Sequence, residues 1–103
     1  MSIIDNMEAM LAQGQDNALL RFSLGQAYFK EKNYAKAIEH LQQAVTHDPA
    51  YSAAWKIYGK ALVENHDTAA AINAYQQGIQ VAEQKGDKQA AKEMQVFLKR
   101  LLK

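Results

Sequence analysis

From Ala18 onward, apolar residues recur at three- and four-residue steps. Leu20, Leu24, Ala27 and Tyr28 form one stripe. A polar break at Glu31-Lys32-Asn33 interrupts it, and Tyr34, Ala37, Ile38, Leu41, Ala44 and Val45 form a second. Such spacing puts apolar side chains on one face of a helix, so the segment predicts two amphipathic helices joined by a short turn. Asp48-Pro49 ends the second helix, because the residue before a proline is pushed out of the helical region. The pattern then begins again. Ser52 is the expected N-cap. Trp55, Tyr58, Gly59 and Leu62 carry the next stripe, Asn65-His66-Asp67 is the break, and Ala71, Ile72, Tyr75, Gly78 and Ile79 build another helix.

The recurrence is a true repeat. Ala18–Tyr51 lies over Ser52–Lys85 without a gap, at an offset of 34 residues. The overlay pairs Gly25 with Gly59, Ala27 with Ala61, Ala37 with Ala71, Ile38 with Ile72, and Gln42-Gln43 with Gln76-Gln77. Small residues recur where two helices must come close. A glycine inside a helix costs roughly 1 kcal/mol against alanine. Gly25 and Gly59 are therefore expected to offset that cost by letting the second helix of each hairpin approach. Trp55 is expected in the core, where truncation to alanine costs on the order of 3–5 kcal/mol.

At the positions 21, 24, 25, 28, 37, 41, 44 and 49 the first unit reads Arg, Leu, Gly, Tyr, Ala, Leu, Ala and Pro. The second has Trp55, Tyr58, Gly59, Leu62, Ala71, Tyr75, Gly78 and Glu83 in those slots. This resembles the tetratricopeptide repeat, with departures at Arg21, where tryptophan is favoured, and at Glu83, where proline is. The resemblance implies an all-α fold, a right-handed α-α superhelix of about six antiparallel helices. It further implies a protein-interaction scaffold or adaptor without catalysis, holding a peptide or partner segment in a concave groove lined by the first helix of each hairpin. By that resemblance the groove positions are Leu19, Phe22, Gln26, Phe29 and Lys30 in the first unit and Ala53, Lys56, Lys60, Val63 and Glu64 in the second. Phe22 and Phe29 offer an apolar floor and Lys56 and Lys60 a positive wall, which suits a peptide with hydrophobic anchors and an acidic group. Two readings stay open, since Phe22 and Phe29 can equally serve as packing. Some members clamp a peptide C-terminus with lysine and asparagine where this chain has Phe22 and Gln26.

One domain, 1–103, is expected, with a half-repeat helix at 2–13, repeats at 18–51 and 52–85, and a capping helix at 87–102. In the N-terminal helix Ile3, Met7, Met10 and Leu11 occupy second-helix positions of a missing hairpin. Stacked repeats leave an apolar face at each end that needs a cap. In the last segment Ala91, Met94, Phe97, Leu98, Leu101 and Leu102 fit a first-helix stripe after a three-residue slip, so Ile79–Lys85 is expected to extend the preceding helix by nearly a turn. Gly86 then ends that helix and Asp87 caps the next. If Phe97 and Leu102 are not both covered, this end is a candidate homodimer surface. Self-association through the terminal helices is the alternative function.

Composition narrows the chemistry. About half of the residues are apolar, there is one proline and no cysteine, and the net charge is +1. Without cysteine, disulfides and thiolate catalysis are excluded. Near-neutral charge argues against nucleic acid or an anionic membrane as partner. Met1–Asp5 lacks the basic opening of a signal peptide, and no apolar run is long enough to span a bilayer; a cytoplasmic location is expected. The five glycines are scattered, so no phosphate-binding loop is present. His40 and His47 lie two turns apart without a third ligand nearby, which reads as solvent-facing polarity and not a zinc site. No catalytic residue, metal or cofactor is expected.

Overall fold

A computed structural model describes residues 2–103. Among these are six helices: α1 (Ile3–Ala12), α2 (Ala18–Lys30), α3 (Tyr34–His47), α4 (Ser52–Glu64), α5 (Thr68–Lys85) and α6 (Lys88–Leu101). The α2/α3 and α4/α5 pairs are antiparallel hairpins, α4 packs on both α3 and α2, and α6 packs in the same way on α5 and α4. α1 packs on α2. The result is an elongated slab of 41 × 28 × 18 Å.

Short polar side chains start most of the helices. Asn17, Asn33, Asp67 and Asp87 each accept a hydrogen bond from the backbone amide three residues on, and Ser2 and Asp5 form a reciprocal capping box. The expected cap at Ser52 is displaced by one residue. Tyr51 holds the N-cap position without a side-chain bond, and Ser52 is buried with its hydroxyl donating to Asp87 Oδ2 at 2.7 Å. Ser52 therefore ties the start of α4 to the start of α6. The breaks inside the two hairpins use left-handed backbone at equivalent positions, Lys32 (φ 61°) and His66 (φ 62°).

The glycines act as expected. A Cβ on Gly25 would fall 2.7 Å from Leu41 Cδ2, and one on Gly59 would fall 2.7 Å from Tyr75 Cδ1. Gly78 has the same role one interface later, with Trp55 Cβ 2.7 Å away. Trp55 is partly buried where three core clusters meet, and its indole N–H donates to the Pro49 carbonyl at 2.8 Å. α5 is four residues longer than α3 and ends at Gly86 in the left-handed conformation (φ 78°). The slip before the last helix is two residues at its start and three at its end, judged from the caps of α4 and α6.

At the N-terminus the buried stripe is not the expected one. Ile4 is buried, with Met7 and Leu11 packed around it against Leu20 and Leu24. Ile3 and Met10 instead remain exposed, at 70% and 39%. The expected solvent-facing role of His40 is also corrected. Its ring is buried and stacks on Tyr28, with centroids 5.5 Å apart and planes 3° from parallel. The reason is local: Arg21 Nη1 lies 3.1 Å from His40 Nδ1 and satisfies it, so the imidazole can leave water. His47 stays exposed and bonds Asp16 at 3.0 Å.

Candidate functional site

The C-terminal halves of α2, α4 and α6 lie side by side because α4 packs on α2 and α6 packs on α4. Between them is a cavity of about 370 Å³. Phe29 comes from α2, Lys60, Val63 and Glu64 from α4, and Phe97, Arg100 and Leu101 from α6, with Tyr75 of α5 at the floor. The Phe97 ring organises it. Tyr75 packs beneath at 5.7 Å between centroids. Lys60 Nζ sits 5.0 Å from the ring centroid and Arg100 Cζ 5.9 Å, both within cation–π range. Burial pushes the Tyr75 phenol up to about 12, so it stays neutral. The cavity thus offers apolar walls with two cations beside one ring and one carboxylate, Glu64, at its edge.

Of the groove positions named from the sequence, Phe29, Lys60, Val63 and Glu64 line this cavity together. The others lie elsewhere. Phe22 packs between the hairpins, 4.9 Å from the Tyr51 ring and against the Ala44–Ala54 cluster. Lys56 is engaged by Glu93, 3.2 Å from Oε1, so its charge is already answered. Gln26 lines a groove between α1 and α2. Leu19 is 65% exposed and outside the cavity. The Phe29 ring, besides lining the cavity, meets Tyr34 edge-on at 5.5 Å. Phe97, Arg100 and Leu101 were not singled out as groove residues. The three-residue slip carries the signal: it sets them at the positions of Lys60, Val63 and Glu64.

Among the described residues no cluster of three or more histidine, aspartate or glutamate side chains could hold a metal ion. None of the helices described is long and apolar enough to cross a membrane.

A stack of antiparallel hairpins with an open face along their first helices defines a helical-repeat protein of the solenoid class. The tetratricopeptide-repeat family profile matches residues 18–51. A TPR repeat-containing protein of Pseudomonas aeruginosa is 52% identical over 99 residues, which is 96% of this chain and 94% of that one. The chain belongs to the tetratricopeptide-repeat family. A solved structure from Bordetella parapertussis, 47% identical, superposes with a TM-score of 0.84 over 99% of this chain and 89% of that one. The crystal structure of a tetratricopeptide repeat domain protein from Salinibacter ruber, 28% identical, gives 0.77 over 84% and 96%. Repeats of this family are in general protein–protein interaction modules, and its members are typically non-catalytic scaffolds.

Proposed function

We infer that the chain is a non-catalytic adaptor that holds a peptide segment of another protein across α2, α4 and α6. The occupant carries a large apolar anchor next to an acidic residue. One observation carries this reading: three successive helices contribute apolar walls to one cavity, and its two cations stand over the same ring. An aromatic or aliphatic anchor would fill the space between Phe29, Val63 and Leu101. A neighbouring carboxylate would draw on Lys60 and Arg100. Such a site needs no motion of the helices, because the walls are rigid secondary structure.

Panning a phage-displayed random peptide library tests this without a known partner. The wild type is expected to enrich peptides with an aromatic or large aliphatic residue beside aspartate or glutamate. The double variant Lys60→Glu, Arg100→Glu should bind the enriched peptides at least about tenfold more weakly, a loss of about 1.4 kcal/mol, with an unchanged thermal melt. Equal binding by both proteins would contradict the groove assignment.

A further inference from the structure

The two ends of the stack are complementary. α1 packs on α2 as α3 packs on α4, so α1 stands in the place of a second helix, and among the described residues no first helix pairs with it. Subtracting the 34-residue repeat sets Ile3, Met7 and Met10 at the positions of Ala37, Leu41 and Ala44. In the complete hairpin those three are fully buried against α2 and its neighbours. In α1, Ile3 is 70% and Met10 39% exposed. Ile3 and Met7 face a groove of about 460 Å³ whose other wall is α2, at Ser23 and Ala27. The groove marks the seat of a first-type helix.

At the other end α6 is a first-type helix without a second. A smaller groove of about 310 Å³ runs along it between Glu83, Lys88, Ala91 and Gln95. That is the seat of a second-type helix. Leu102, 60% exposed, continues the same face of α6. Each end thus presents the helix that the other end lacks.

Charge follows the same polarity, although the whole chain is nearly neutral. α1 carries Asp5 and Glu8 and no lysine or arginine. From residue 88 on stand Lys88, Lys92, Lys99, Arg100 and Lys103, against Glu93 alone.

We propose that copies of this chain associate head to tail, with α6 of one copy seated against α1 and α2 of the next, so that the two helices complete a hairpin across the interface. The long lysine stems of α6 can cover Ile3 and Met10 while their ammonium groups meet the acidic end. The contact is heterologous: it uses two different patches, leaves one of each free, and therefore grows instead of closing at two copies. It leaves the cavity between α2, α4 and α6 open along the assembly.

Light scattering of three proteins tests the proposal: the wild type, a head variant (Ile3→Lys, Met10→Lys) and a tail variant (Gln95→Lys, Leu102→Lys). All four positions are exposed, so circular dichroism should be unchanged. The wild-type mass should rise with concentration past two copies. Each variant alone should remain a single copy. An equimolar mixture of the two variants should reach two copies and stop, because one intact head meets one intact tail. A wild-type mass of one copy at concentrations on the order of 1 mM, where contacts of millimolar affinity register, would overturn the proposal. So would a plateau at two copies in the wild type, association that survives in either variant, or a mixture that stays monomeric. Lys60→Glu, which leaves every charge of α6 in place, should weaken the peptide groove but leave the assembly intact, which separates failure of the stack from failure of the groove.

Discussion

Arg21 and His40 occupy, in the first hairpin, the places of Trp55 and Ala74 in the second. A large ring facing a methyl group is replaced by a guanidinium facing an imidazole, and polar partners make the exchange tolerable. Asp16 holds Arg21 at 2.8 and 2.9 Å through both carboxylate oxygens. The Arg21 hydrogen bond in turn holds the Asp16 carboxyl down at about 2. Arginine can only donate, so His40 Nδ1 accepts and its proton sits on Nε2. That nitrogen finds no hydrogen-bond partner among the described residues; Glu8 Oε1 is 3.8 Å away and Tyr28 donates to the other oxygen of the same carboxylate. Burial, with help from Arg21 and Lys36, pushes the His40 pKa below its ordinary value of 6.5 against the opposing pull of Glu8 and Glu39. The unfolded chain therefore takes up this proton first. Folding stability is expected to fall as pH drops through about 6.5. His40→Asn keeps an acceptor for Arg21 but cannot titrate. Urea melts between pH 7 and pH 5 should show a shallower loss of stability in the variant than in the wild type, and identical slopes would refute this role. The network was not legible along the chain, since Asp16 and Glu8 reach His40's surroundings only through tertiary packing.

At the scale of the element, each hairpin closes on a glycine. Ala in place of Gly59 gains helix propensity of roughly 1 kcal/mol. It also drives a methyl group into the Tyr75 ring, which is itself fully buried. Overpacking of this kind costs about 1–3 kcal/mol, so Gly59→Ala is expected to lower the urea midpoint, with Gly25→Ala behaving alike against Leu41. A midpoint at or above that of the wild type would show that the close approach is not what the glycine serves. These contacts were readable from the chain because a 34-residue offset aligned small residues with one another. The helix ends were less readable. Ser52 resembles a cap in isolation, yet its hydroxyl is drawn to Asp87, 35 residues away. In α1 the apolar residues do not all turn inward, because only one neighbouring helix is there to cover them.

The whole molecule is a short stack with one open face and two unlike ends. The fold follows from the repeat, and so does the lining of the face by α2 and α4. Which side chains meet there does not. Six of the ten groove positions named from the sequence lie outside the cavity; among them Phe22 is claimed by Tyr51, Lys56 by Glu93, Leu19 stands at the far end of α2, and Gln26 and Lys30 turn toward α1. Their places are taken by Phe97, Arg100 and Leu101 of a helix that reads as a plain cap until its register is fixed. The most direct measurement is an NMR titration of the ¹⁵N-labelled protein with a short peptide bearing a large apolar residue flanked by aspartates. Binding in the groove predicts saturable amide shifts concentrated at Phe29, Lys60, Val63, Phe97 and Arg100, with α3 and the outer face of α5 unmoved. Shifts confined to those outer faces, or none at millimolar peptide, would contradict it.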